Sequence, residues 1–327
     1  MNFFESWGTQ ENPIRQSDLQ NVFGSVFGCP KNFAMSKLYP SKSDRINFRT
    51  ALGDILHGMI SQDLSGCPWP REKVADCMKK YPKDIHGHEE GDIEEYQTML
   101  DLLLANPIYR NIKKRVVEVE RSFMVESGGI WIAGSVDLII EGKTDGSFVV
   151  VDWKTGKGKS QFEMDNSYQS RIYAYALEHG EFFLKPEILD SGRDYHDAWK
   201  KTHIKNSYGV RPEIIYCYLR DLLPAKRDSV RKSDHYSTKT KEGKVHIAKG
   251  EPRGPVWYAT KVPRDMRRLE YSAKVAVALS KMGMWPEYFG NHCKTCLHAA
   301  RCENMGVMYT EKQTVMNLIN DLGIELD

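Results

Sequence analysis

The sequence predicts a mixed α/β fold, and three observations carry that expectation. Two apolar, β-branched runs, residues 131–140 and 147–154, flank a glycine-containing turn at Glu141–Gly146 and read as paired strands. A third such run, Pro212-Glu213-Ile214-Ile215-Tyr216-Cys217-Tyr218-Leu219, reads as another strand. Stretches of helical periodicity precede and separate these runs. A chain of 327 residues suits one large domain or two small ones. We read residues 1–327 as a single domain: a helical region at 16–110, an α/β core at 111–220, a basic insertion and strand at 221–262, and a helical C-terminal region at 263–327.

Taken in order, residues 16–38 form a short helical region around Cys29-Pro30. Residues 45–63 form an amphipathic helix with Phe48, Leu52, Ile55, Leu56 and Met59 as its apolar stripe. His57 lies beside the stripe, one turn after Gly53. The polar stretch 70–105 is mostly helical, and Val117, Val119 and Phe123 mark a strand over 115–125. Residues 163–179 read as a helix, 256–261 as a strand, and 263–282 and 311–323 as helices. Between them, residues 221–254 are irregular and basic, with Lys226, Arg227, Arg231, Lys232, Lys239, Lys241, Lys244, Lys249 and Arg253. That stretch is either a solvated loop or a flap that follows a phosphate backbone.

Several classes are set aside. No apolar run approaches the roughly 18 residues of a membrane helix. Met1-Asn2-Phe3-Phe4-Glu5-Ser6-Trp7 lacks a basic region followed by an apolar core, so we expect no signal peptide, no membrane and a cytoplasmic protein. The net charge of +2 leaves any nucleic-acid path to a local patch. Seven cysteines without an export signal argue against a disulfide framework. Gly142-Lys143-Thr144 and Gly158-Lys159-Ser160 lack the glycine five positions earlier that a phosphate-binding loop needs; Asp137 and Trp153 stand there.

The chemistry gathers at Asp152-Trp153-Lys154-Thr155-Gly156. Side chains alternate along a strand, so Asp152 and Lys154 share a face and Trp153 takes the other. If Ile140 pairs with Ser147, Asp137 lies opposite Val150 and on the face of Asp152; a one-residue slip would turn it away. Two carboxylates and an ammonium then meet at one end of a hairpin, as metal-assisted phosphodiester cleavage requires. The plainer alternative is a hairpin with a minor Asp152–Lys154 ion pair. Mg²⁺ or Mn²⁺ would take oxygens from Asp137, Asp152 and the carbonyl of Trp153. Lys154 would orient the attacking water or offset charge in the transition state. His57 is a further ligand or a hydrogen-bonded residue at a helix boundary. Gln169 and Tyr173, four apart, share a helix face.

In this order these elements resemble the RecB-like branch of the PD-(D/E)xK nuclease superfamily, most of all its iron–sulfur members, the CRISPR-associated exonucleases and AddB-type nuclease domains. Gly53-x-x-x-His57 resembles the first motif, Gly134-Ser135-Val136-Asp137 the second, Asp152-Trp153-Lys154-Thr155-Gly156 the third and Gln169-x-x-x-Tyr173 the fourth. Cys29-Pro30 resembles the first cluster ligand, and Cys293-x-x-Cys296 with Cys302 the other three. The resemblance spans residues 29–302. It departs where Asp152 replaces the common Glu, where Trp153 replaces a common Tyr, and where 181–211 and 221–254 exceed a minimal member.

The resemblance implies a restriction-endonuclease-like mixed sheet flanked by helices. It also implies a DNA exonuclease acting on single-stranded ends, with Gln169 and Tyr173 flanking the metal and helping to hold substrate. A helicase, recombinase or integrase would be its protein partner, in DNA repair or recombination. The cysteines imply a structural [4Fe–4S] cluster; one Cys-x-x-Cys pair with two single ligands suits it better than zinc. Cys67 competes with Cys29 as the remote ligand, His292 and His298 compete less well, and Cys77 and Cys217 read as ordinary buried thiols. Tyr168, Tyr173 and Trp257 could stack on unpaired bases. Structure-specific or duplex-end endonuclease action, and a DNA-binding subunit with secondary nuclease activity, are the competing readings.

Overall fold

The strand signals become a mixed sheet, and its register decides where the acids stand. The structure, a computed structural model, describes residues 4–23, 29–38, 48–66, 74–79, 81, 92–144, 146–156, 158–159, 161–184, 213–232, 244–254, 256–260, 266–283 and 285. In chain order the first elements are β1 (Ile14–Arg15), α1 (Gln16–Phe23), α2 (Pro30–Leu38), α3 (Phe48–Leu64), α4 (Val74–Met78), α5 (Asp92–Ala105) and α6 (Pro107–Lys113). Next come β2 (Val116–Ser127), β3 (Ile130–Glu141), β4 (Phe148–Lys154), α7 (Gln161–Asp165), α8 (Tyr168–His179), β5 (Glu181–Leu184) and β6 (Glu213–Tyr218). The last are β7 (Ser229–Lys232), β8 (Lys244–Ile247), β9 (Trp257–Ala259) and α9 (Arg267–Met282).

Two compact units divide the chain. One comprises Met1–Asp44, Met124–Gly134 and Asp265–Asp327; the other comprises Arg45–Phe123 and Ser135–Arg264. In the first, β1 pairs in parallel with the start of β3, Ile14 opposite Ile132. Phe4, Trp7, Phe33 and Trp285 form an aromatic cluster, with Phe33 and Trp285 at 5.7 Å. Gly128 and Gly129 link β2 to β3, both at positive φ, as the type I′ hairpin turn demands.

In the second unit the sheet runs β5-β2-β3-β4-β6-β9. Strands β3 and β4 are antiparallel, β4 and β6 parallel, and β6 and β9 antiparallel. A parallel pair needs a crossover, and α8 lies in the β4–β6 connection. Leu138, Ile140, Val149, Val151 and Trp153 pack into one core with Leu52, Leu56 and Met99 of α3 and α5. This core takes the alternate residues of β3 and β4, which leaves Asp137 and Asp152 on the other face.

Pairing differs from the sequence expectation by two residues. Ile140 lies opposite Val149, not Ser147, and Glu141 opposite Phe148. The turn is therefore Gly142–Ser147, closed by the Gly142 N–H on the Ser147 carbonyl at 2.7 Å, with Gly146 at positive φ. Moving the turn by one residue moves the register by two, so every side chain keeps its face. The consequence is local: continuing from Leu138 opposite Val151, Asp137 faces Asp152 rather than Val150.

Other differences have simple causes. The expected helix 163–179 is two helices, because Ser167 leaves helical geometry and caps α8, its Oγ accepting the Ser170 N–H at 3.0 Å. Asn106 caps α6 in the same way, with Pro107 behind it. Strand β5 was not expected. Within the basic insertion, β7 and β8 pair antiparallel with Lys232 opposite Lys244. The helix expected at 311–323 lies outside the described residues. Among the described residues, no helix is long and apolar enough to cross a membrane.

Because Ser167 starts the helix that carries Gln169 and Tyr173, Ser167→Ala should destabilise the protein by about 1 kcal/mol. Denaturant melts of the two proteins would show it, and coincident curves would contradict the capping role.

Candidate active site

Four elements of the second unit supply the site. Helix α3 brings His57, and Gly53 one turn earlier lets β4's continuation approach: a Cβ at Gly53 would lie 3.3 Å from Thr155 Oγ1. Strand β3 brings Asp137, β4 brings Asp152 and Lys154, and α8 brings Gln169 and Tyr173. Alternation holds as expected. Trp153 is buried against Tyr109 and Trp257, each ring 6.0 Å away, and so anchors the strand from the opposite side.

The two carboxylates have different surroundings. Asp137 Oδ2 accepts the Trp153 N–H at 2.8 Å and stands 3.4 Å from His57 Nδ1. Asp152, only 2% exposed, accepts through Oδ1 from Gln169 Nε2 at 3.0 Å and from the Tyr173 hydroxyl at 2.8 Å. Gln169 also donates to the Tyr173 oxygen at 2.9 Å. Lys154 Nζ lies 2.5 Å from Asp152 Oδ2 as an ion pair, yet Oδ2 is buried without a hydrogen bond of proper geometry. The same ammonium sits 5.5 Å from the centre of the Tyr216 ring. The Tyr216 hydroxyl in turn shares a 2.8 Å hydrogen bond with Ser170 of α8.

Electrostatics follow from this packing. Burial opposes the Asp137 charge, but His57, Lys154 and the Trp153 N–H outweigh it and hold the carboxyl below its ordinary range. Burial dominates at Asp152; with Asp137 beside it, its carboxyl is lifted above the ordinary range although Lys154 and Tyr173 pull the other way. Burial likewise opposes the charges of His57 and Lys154, and the neighbouring acids reverse it, so both keep their protons to higher pH than usual.

The ligand atoms of His57, Glu120 and Asp137 lie within 4.8 Å of one another. Asp152 is not in that set; its oxygens face Lys154, Gln169 and Tyr173. Sequence reasoning missed Glu120. It lies in β2 among charges that alternate with valines, and no motif spacing marks it. A cation fits here on chemical grounds: carboxylate oxygens and one imidazole suit a hard divalent ion.

A family model described as the PD-(D/E)XK nuclease superfamily matches residues 25–303. The chain belongs to that superfamily. Among curated proteins nothing matches. Among solved structures the chain is similar to one described as the crystal structure of SSO0001, at 14% identity and a TM-score of 0.35, covering 90% of this chain and 88% of that one. So loose a likeness carries no argument. As a PD-(D/E)XK nuclease, the protein acts on DNA with divalent metal such as Mg²⁺, and its sheet flanked by helices suits the restriction-endonuclease-like fold.

The cysteines are only partly in view. Cys29 is buried at the start of α2, its Sγ accepting the Asn32 N–H at 3.5 Å. Cys217 is buried in β6, where burial pushes its thiol well up and makes it inert, and Cys77 is half-buried. Cys67, Cys293, Cys296, Cys302, His292 and His298 lie outside the described residues.

Tyr173→Phe removes a hydrogen bond that favours the ionised Asp152, so its carboxyl should be lifted further. Protons then compete harder with metal. Mn²⁺ affinity should fall relative to wild type as pH drops from about 8 to about 5.5, by up to about tenfold for one pKa unit. Calorimetric titration across that range checks this; a loss independent of pH would contradict it.

Proposed function

We propose that the protein is a metal-dependent deoxyribonuclease that degrades DNA from single-stranded ends and carries a structural [4Fe–4S] cluster. One observation carries the nuclease assignment to residues. In a chain of the PD-(D/E)XK nuclease superfamily, Asp137 and Asp152 lie close together at the end of the β3–β4 pair, with Lys154 2.5 Å from Asp152.

Asp137, Asp152, His57 and the Trp153 carbonyl would hold Mg²⁺ or Mn²⁺. When bound, the cation would acidify a water and polarise the scissile phosphate. The remaining work falls to the chain. Lys154, kept charged by two acids, orients the attacking water and offsets charge on the phosphorane-like transition state. Gln169 and Tyr173 fix the rotamer of Asp152 beside the metal and would help to hold the substrate. Trp153 presents its N–H to Asp137 while its ring stays in the core, so the acid cannot turn away from the site. The excess of Lys and Arg over residues 221–254 would suit a path for a phosphate backbone.

For the cluster we propose Cys29, Cys293, Cys296 and Cys302. What supports it is the packing of the first unit. Helix α2 begins directly after Cys29, and Phe33 on it meets Trp285, which precedes Cys293 closely in sequence. Helices α2 and α9 both pack on α1. Four thiolates there would tie the early and late segments of the chain together. We further propose that the protein works in the cytoplasm with a helicase, recombinase or integrase in DNA repair or recombination.

Asp152→Ala and Lys154→Ala should each reduce cleavage of end-labelled single-stranded DNA in Mn²⁺ by at least about a thousandfold while DNA affinity stays within a few-fold, since binding is spread over many phosphates. Wild-type turnover in either variant would remove the proposed site. Circular single-stranded DNA should survive; its cutting would make the enzyme an endonuclease. Protein purified without oxygen should hold iron and absorb broadly near 400 nm, and Cys29→Ala should bleach it where Cys67→Ala does not. Stoichiometric zinc without iron would overturn the cluster and leave the nuclease site standing.

A further inference from the structure

We propose that Glu120 is a ligand of the active-site cation, beside His57 and Asp137. The inference rests on the metal-dependent nuclease reading and adds a residue that no motif in the chain marks. Three different elements converge here: β2 with Glu120, α3 with His57 and β3 with Asp137. Their ligand atoms lie within 4.8 Å of one another. Donors on opposite sides of one small divalent ion stand about 4.2 Å apart, twice a metal–oxygen distance of about 2.1 Å. Cis donors stand about 3.0 Å apart, so closing three donors onto one ion needs shifts of less than about an ångström each.

Charge points the same way. Glu120 and Asp137 bring two carboxylates to one imidazole, and with His57 neutral, as a ligand must be, a divalent cation suits that donor set. Glu120 also holds φ at +49° inside a strand. That conformation costs a non-glycine residue of order 1–3 kcal/mol and persists only where surroundings fix it. Here it accompanies the carboxylate's place beside His57 and Asp137. One imidazole with two carboxylates should favour Mn²⁺ over Mg²⁺.

The test is Mn²⁺ binding to the full-length protein without DNA, read from the electron paramagnetic resonance of free Mn²⁺. E120Q keeps size and shape, and should weaken Mn²⁺ binding by at least about tenfold, while its metal-free melting temperature equals or exceeds that of wild type. D137N is the reference and should weaken binding at least as much. E120C should bind the same number of Cd²⁺ ions as wild type but with new thiolate-to-metal absorption that D137N suppresses, which a merely structural Glu120 would not give. If E120Q binds Mn²⁺ as wild type does while D137N does not, Glu120 is no ligand and the nuclease reading survives. If neither variant changes Mn²⁺ affinity, both fall. Should E120Q not fold, the E120C experiment decides: Cd²⁺ bound with no new thiolate-to-metal absorption would overturn the proposal.

Discussion

Two carboxylates facing each other across a β-hairpin, both largely out of water, are the constraint on which the rest of the site depends. Each buried charge is costly unless paired, and the two repel. The chain answers unequally. Asp137 receives a backbone N–H and an imidazole and is held ionised, whereas Asp152, beside it and more sequestered, is lifted toward its protonated form. Lys154 cannot neutralise both. A divalent cation would resolve the conflict, and the packing that opposes both charges in the metal-free protein would then favour metal binding.

The fold supplies this arrangement through features that look purely structural. Trp153 alternates with Asp152 and Lys154, and its burial fixes the rotation of β4, so the acid and the lysine must point together. Gly53 brings α3 close enough to the Thr155 turn for His57 to reach Asp137. The break at Ser167 starts α8 where Gln169 and Tyr173 can reach Asp152. Each is a small local choice, and each sets the position of a charged group to within an ångström or so.

Much of this was legible in the residues, for a physical reason. Strand alternation alone puts Asp152 with Lys154, and helical spacing alone puts Gln169 with Tyr173. The face of Asp137 was legible too, because any register of the correct parity preserves it. Its partner across the ladder was not. That depends on whether the turn closes at Glu141 or Gly142, and hydrogen bonds inside the turn decide it. Glu120 was illegible for a related cause: it joins the site from a strand whose sequence carries no motif, through a backbone angle that no sequence pattern announces. The break between α7 and α8 was legible only in part, since Asn166-Ser167 is a common capping pair but sits inside a helical pattern.

The most direct measurement is the position of Mn²⁺ by anomalous diffraction from crystals of protein that cleaves DNA with that ion. The account predicts a peak within about 2.2 Å of an Asp137 carboxylate oxygen, with His57 and Glu120 drawn in around it. A well-occupied ion elsewhere, with no density at Asp137, would contradict it.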